Sequence, residues 1–160
     1  MQKIDLLCIG KLKEAYLRQA CQEYEKRLGA YCKLSIIELP ECRLPPDPSP
    51  AQIAQVLAQE GQSILQKLSP QATLISLCIE GEELSSPQLA QRMAAFAAGG
   101  NGHLAFAIGG SWGLDPAVKA RSALRLSMSP MTFPHQLARV MVLEQLYRAC
   151  SINHNGKYHK

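Results

Sequence analysis

Five short apolar runs, separated by longer stretches of helical pattern, constrain this chain more than any other feature. They occupy residues 3–10 (KIDLLCIG), 32–39 (CKLSIIEL), 72–79 (ATLISLCI), 104–108 (LAFAI) and 123–127 (ALRLS). Short apolar runs of this kind suit strands buried on both faces. Because strand and helix alternate five times, the sequence predicts an α/β fold: a mostly parallel sheet covered by helices on both faces. With 160 residues the chain fits one domain, 1–160, able to bury a real core without disulfides or metal.

Between the runs, punctuation marks the helices. Residues 13–28 repeat Tyr16, Ala20, Tyr24 and Leu28 every fourth position and stop at Gly29. Five prolines in residues 40–50 make an irregular connection, since proline removes backbone donors and fixes φ. Ser49-Pro50 then caps a helix running through Ile53, Leu57, Ile64 and Leu68, with Gly61 weakening its middle. Ser86-Pro87 repeats the signal before a helix over 88–98, which Gly99, Gly100, Asn101 and Gly102 end. Asp115-Pro116 caps a short helix over 117–122.

Composition excludes several classes. Hydrophobic residues make up 47% and charged residues 19%, normal for a folded soluble protein, and no apolar run approaches the roughly 18 residues that span a bilayer. The N-terminal apolar run is too short for a secretory leader and has no small-residue cleavage site, so it is expected to be the first strand of a cytoplasmic protein. Six cysteines contain no C-x-x-C pair, which argues against a zinc knuckle or redox dithiol; no metal and no membrane contact are expected. The net charge of +4 is mild, but basic residues crowd the C-terminus.

Candidate chemistry lies where apolar runs end, because ligands of open α/β sheets sit beyond the carboxyl ends of strands. Gly100, Gly102 and Ala105 match G-x-G-x-x-A, yet that fingerprint must follow a strand and open a helix, and here it does the reverse. G-x-x-x-x-G-K-[ST] is absent, which removes a P-loop. Gly109-Gly110-Ser111-Trp112-Gly113, at a strand end, is either a tight turn or a place where backbone approaches a ligand. Residues 128–134 (MSPMTFP) mix apolar side chains that can flank a flat ring with groups that hydrogen-bond a base edge; they also simply precede a helix, with Thr132 or Phe133 near the cap and Pro134 at its first position. That helix, 135–150, is apolar all round at Val140-Met141-Val142-Leu143, so one face is expected on the sheet and another against a second copy. Glu144 and Arg148 stand four apart, as an ion pair or as an arginine fork offered to phosphate. The tail, 151–160, is either frayed or, through Arg148, Lys157, Tyr158, His159 and Lys160, a phosphate-and-stacking set for single-stranded RNA.

Four motifs in order, IGGSWGLD at 108–115, LSMSPMTFPHQLARV at 126–140, LEQLYRA at 143–149 and the closing YHK at 158–160, resemble the RlmH-type 23S ribosomal RNA methyltransferases of the SPOUT class. The resemblance runs from Ile9-Gly10-Lys11 and EYEKRL at 23–28 to the C-terminus, with Trp112 and Pro130 as departures from its pattern. It implies a C-terminal trefoil knot, a homodimer, S-adenosyl-L-methionine (SAM) as methyl donor, and methylation of N3 of a pseudouridine in 23S rRNA of the ribosome or its large subunit. Carried over by position, cofactor contacts fall on Leu77, Gly109, Gly110, Met128, Ser129, Pro130, Met131, Thr132 and Phe133. The catalytic side falls on His135, Arg148, Tyr158, His159 and Lys160, which makes the basic tail part of the active site. Arg148 and His159, from different subunits, would hold the base and its charge while Tyr158 stacks or hydrogen-bonds. A non-catalytic ribosome- or RNA-binding factor that keeps the fold is the alternative.

Overall fold

The elements run β1 (Gln2–Ile9), α1 (Ala15–Leu28), β2 (Cys32–Leu39), α2 (Pro50–Lys67), β3 (Thr73–Glu83), α3 (Ser86–Gly99), β4 (His103–Ile108), α4 (Pro116–Arg121), β5 (Leu124–Ser127) and α5 (His135–Asn153). This computed structural model describes residues 1–100 and 102–160; Asn101, named above as a helix terminator, lies outside the described residues. The five strands form one sheet in the order β2-β1-β4-β3-β5, and every pairing is parallel. β4 is buried along its whole length between β1 and β3, which is why its sequence, HLAFAI, tolerates so little polarity.

Alternation along the strands divides the core in two. Ile4, Leu6 and Cys8 of β1 and Leu104, Phe106 and Ile108 of β4 face α1, α3 and α5, meeting Cys21, Met93, Leu143 and Leu146. Leu7, Ile9, Ala105 and Ala107 face the other way, toward Ile64 of α2 and Val118 of α4. The layers differ in size: α5 lies between α1 and α3 over the first face, while α2 and the short α4 cover the second.

Several expectations shift. In α1 the buried residues are Leu17, Cys21 and Leu28, with Tyr24 half-buried, and Tyr16 is 67% exposed. A strict four-residue repeat turns about 40° per step around a helix, so by Tyr16, three steps from Leu28, the repeat has left the buried stripe. Gly29 ends the helix in αR geometry, not the left-handed one, its N–H reaching the Glu25 and Lys26 carbonyls. The cap of α3 is Ser85, one residue earlier than expected; its Oγ accepts the Gln88 N–H, freeing Ser86 to donate to Gln145. Pro134, rather than Thr132 or Phe133, caps α5, which continues to Asn153. Gly61 is a packing residue, since a Cβ there would come within 2.7 Å of the Asp115 Cβ. β3 runs past Ile79 to Glu83, so Gly81 lies within the strand; a side chain on it would strike the Arg125 carbonyl at 2.6 Å.

Candidate active site

At the end of β4 the chain must reverse at once into α4. Gly109 allows this, because a Cβ would lie 2.2 Å from the Gly113 carbonyl oxygen. Gly113 takes φ +88° and its N–H donates to the Gly110 carbonyl at 3.1 Å, closing the loop. Leu114 is buried behind it, and Asp115 accepts the Ala117 N–H to start α4.

The second wall follows β5. Ser127 Oγ lies 2.8 Å from the Ile79 carbonyl and 3.2 Å from the Ser129 carbonyl, so one hydroxyl ties the middle of β3 to the loop after β5. Ser129 Oγ accepts the Met131 N–H at 3.0 Å and folds that loop back. Between the two loops opens a cleft of about 890 Å³ at the carboxyl ends of β3, β4 and β5.

Leu77, Gly109, Gly110, Met128, Ser129, Met131, Thr132, Phe133 and His135 all line this cleft; Pro130 does not. Gly109 and Leu126 are buried at its floor, whereas Ile79, Trp112 and Met131 are exposed at its rim by 51%, 54% and 72%. His135 Nε2 is buried without a hydrogen-bond partner. An orphaned ring nitrogen of this kind costs about 1–3 kcal/mol unless a ligand completes it.

Charge in the cleft comes from two residues that the sequence did not single out. Lys119 of α4 donates to Glu80 of β3 at the rim, and this hydrogen bond, helped by the lysine charge, holds the Glu80 carboxyl below its ordinary range. Glu80 escaped notice because the apolar run had ended before it; a strand read through to Glu83 would have carried it.

The remaining predicted residues gather at the far end of α5. Arg148 stands about 20 Å from His135 along the axis at 1.5 Å per residue. There Arg148 Nε and the Tyr158 hydroxyl both donate to Glu144 Oε1 at 3.0 Å, and the Arg148 guanidinium lies 4.7 Å from the Tyr158 ring centre. Tyr158 packs edge-on against Tyr147 at 4.6 Å. Burial, then its bond to Glu144, pushes the Tyr158 hydroxyl up to about 12, so it stays protonated at neutral pH. Arg148 Nη1 is 3.1 Å from His159 Nδ1; an arginine only donates, so Nδ1 accepts. Lys160 is exposed beside them. The tail is therefore docked, not frayed, but within one protomer it stands apart from the cleft.

Among the described residues, no helix is long and apolar enough to cross a membrane and no group of three His, Cys, Asp or Glu is placed to hold a metal. Five of the six cysteines are buried and Cys42 is half-buried, all as free thiols.

Comparison with known proteins places these features. Residues 2–159 match the family described as "Predicted SPOUT methyltransferase". The chain is 49% identical over 157 residues to the Ribosomal RNA large subunit methyltransferase H of Bifidobacterium animalis subsp. lactis (strain AD011), covering 98% of this chain and 99% of that one. It is 48% identical over 158 residues to the protein of the same name from Bifidobacterium adolescentis, covering 99% of both. Among solved structures, the SpoU methyltransferase AviRb from Streptomyces viridochromogenes, in complex with the cofactor AdoMet, aligns with 96% of this chain at a TM-score of 0.46 and 12% identity; the chain spans 58% of its length. A match across nearly every residue, carried by curated relatives of almost equal length, makes the chain a member of the SPOUT methyltransferase family.

Proposed function

We propose that the chain uses SAM to methylate 23S ribosomal RNA at N3 of a pseudouridine, as a cytoplasmic homodimer in which the tail of one subunit closes over the cleft of the other. The observation that carries this reading is the convergence of the glycine loop and residues 128–133 on one cleft, with the orphaned His135 nitrogen beside them. Such a donor set suits an adenosyl group: Leu77, Leu126 and Met128 flank a flat ring, and loop backbone meets polar edges. Bound there, SAM supplies an electrophilic methyl group on a sulfonium.

The chain's own residues then have defined tasks. N3 of the base carries a proton, which passes to solvent before or during attack, and the negative charge that develops favours a cationic site. Arg148 supplies that charge on releasing its ion pair with Glu144, and its bond to Nδ1 leaves the other ring nitrogen of His159, an N–H donor, to meet the base. Tyr158, held protonated, donates a hydrogen bond rather than accepting the proton. The 20 Å between cleft and tail along α5 supports a shared site, because one protomer cannot close its own cleft without undocking its tail. The half-buried Val140 and Met141 and the exposed Leu137 of α5 offer an apolar face to the second copy. The knotted C-terminal segment belongs to the same reading: β5 leaves the sheet at its edge, and α5 returns to mid-sheet over β4.

The test is transfer of labelled methyl from SAM to ribosomes that carry or lack pseudouridine, with the label mapped on 23S rRNA. Label at a pseudouridine N3, absent from pseudouridine-free ribosomes, is expected; label elsewhere rejects the acceptor. Failure of SAM to bind in calorimetry would instead favour a non-catalytic binding factor. The double variant Tyr158→Ala/His159→Ala should bind SAM and transfer no methyl.

A further inference from the structure

We infer that Trp112, the single tryptophan of the chain, is a stacking platform for a base of the acceptor RNA. This rests on the methyl-transfer reading above, and adds to it a residue that none of the motif positions assigns.

Trp112 occupies the tip of a loop whose shape is fixed by its neighbours. The Gly110 to Gly113 hydrogen bond and the positive φ of Gly113 close the turn, and Leu114 anchors it in the core. The loop therefore presents the indole at a set position while leaving it 54% exposed. A large aromatic left in water at a rigid tip gains little from the fold itself. Among the described residues exposed large hydrophobics are few, and three of the six, Ile79, Trp112 and Met131, sit on the rim of this one cleft. The floor beneath them is formed by buried residues such as Gly109 and Leu126.

This layering assigns the occupants. A donor bound on the floor, against the glycine loop backbone, must be approached from the solvent side by whatever accepts the methyl group, so rim residues meet the acceptor. An acceptor base unstacked from its RNA offers a flat π-face, and stacking it on an aromatic side chain strengthens binding roughly tenfold or more. Lys119, also on the rim, is paired with Glu80, so it is the chain's net charge of +4 that suits the same polyanionic partner.

The proposal is tested with Trp112→Ala and Trp112→Phe in the full-length protein, using ribosomes that carry the unmethylated pseudouridine as acceptor and labelled SAM as donor. For Trp112→Ala the KM for ribosomes should rise roughly tenfold or more, while calorimetric SAM affinity stays within about twofold of wild type, and Trp112→Phe should recover most of the loss. An unchanged KM, or a loss confined to SAM affinity, overturns the proposal. So does a shift toward monomer in sedimentation, which would make Trp112 a subunit contact. If wild-type protein binds no SAM and transfers no methyl, the underlying reading fails instead, and the two failures are told apart by the wild-type control.

Discussion

Arg139 of α5 reaches across the molecule to Glu38 at the end of β2, with Nη1 2.7 Å from Oε2, and its Nη2 donates to the Gly10 carbonyl at 3.0 Å. The guanidinium is only 4% exposed, so this one side chain fastens the helix that carries the site residues to the ends of two strands. Arg139→Ala would leave the Gly10 carbonyl unpaired, take the partner from the exposed Glu38 carboxylate and empty the buried space that the arginine side chain fills. A loss of about 3 kcal/mol is expected in urea denaturation, and Arg139→Lys should recover less than half, because an ammonium cannot span both acceptors.

His135→Leu separates function from stability. Removing a buried nitrogen that has no partner, at nearly constant volume, should raise the stability of the ligand-free protein by about 1 kcal/mol. The thermal shift that SAM produces should shrink in the same variant. A ligand-free protein that melts lower than wild type would show that the ring is held by the fold and not kept for a ligand.

Gly109→Ala should do the opposite, harming both. Its Cβ would press on the Gly113 carbonyl at 2.2 Å, so the loop must open. Stability should fall by about 1–3 kcal/mol, and calorimetry should find SAM affinity reduced at least about tenfold.

Glu60 gives a pH-dependent outcome. It is 5% exposed in α2, and its Oε2 accepts the Cys42 N–H, pinning the proline-rich connection. Burial, reinforced by Glu41, holds its carboxyl above the ordinary range despite that hydrogen bond. The folded state then binds the proton more tightly than the unfolded chain, and stability declines as pH rises through the folded value. Glu60→Gln keeps the acceptor and removes the charge. Tm should rise by about 2 °C at pH 7.5 and not at about pH 3, where the carboxyl is protonated in both states.

Much of this was legible in the chain. Apolar runs between glycines and prolines located every strand, because strands buried on both faces have little polarity to confuse the pattern. The cleft followed from two strand ends rich in glycine and methionine. The last residues of β3, Glu80-Gly81-Glu82-Glu83, were not legible: Glu80 and Gly81 fall in a register shift, Glu82 and Glu83 pair with β5 at the sheet edge, and the stretch is largely exposed, so no apolar signal marks it. Lys119 and Glu80 are brought together by tertiary structure alone. The apolar centre of α5 suggested a partner copy, yet α1 and α3 flank that helix and cover much of it within the chain. Sequence periodicity reports that a face is buried, not what buries it.

The distance between His135 and Arg148 on one helix has a consequence for genetics as well as chemistry. If each working centre combines the cleft of one subunit with the docked tail of the other, two alleles damaged in different parts should complement at a SAM concentration too low to fill the Gly109→Ala cleft. Mixing unfolded and refolded Gly109→Ala protein with the Tyr158→Ala/His159→Ala protein would create heterodimers holding one intact centre, and roughly a quarter of wild-type turnover should return under random pairing. Dilution that splits the dimers should abolish it again.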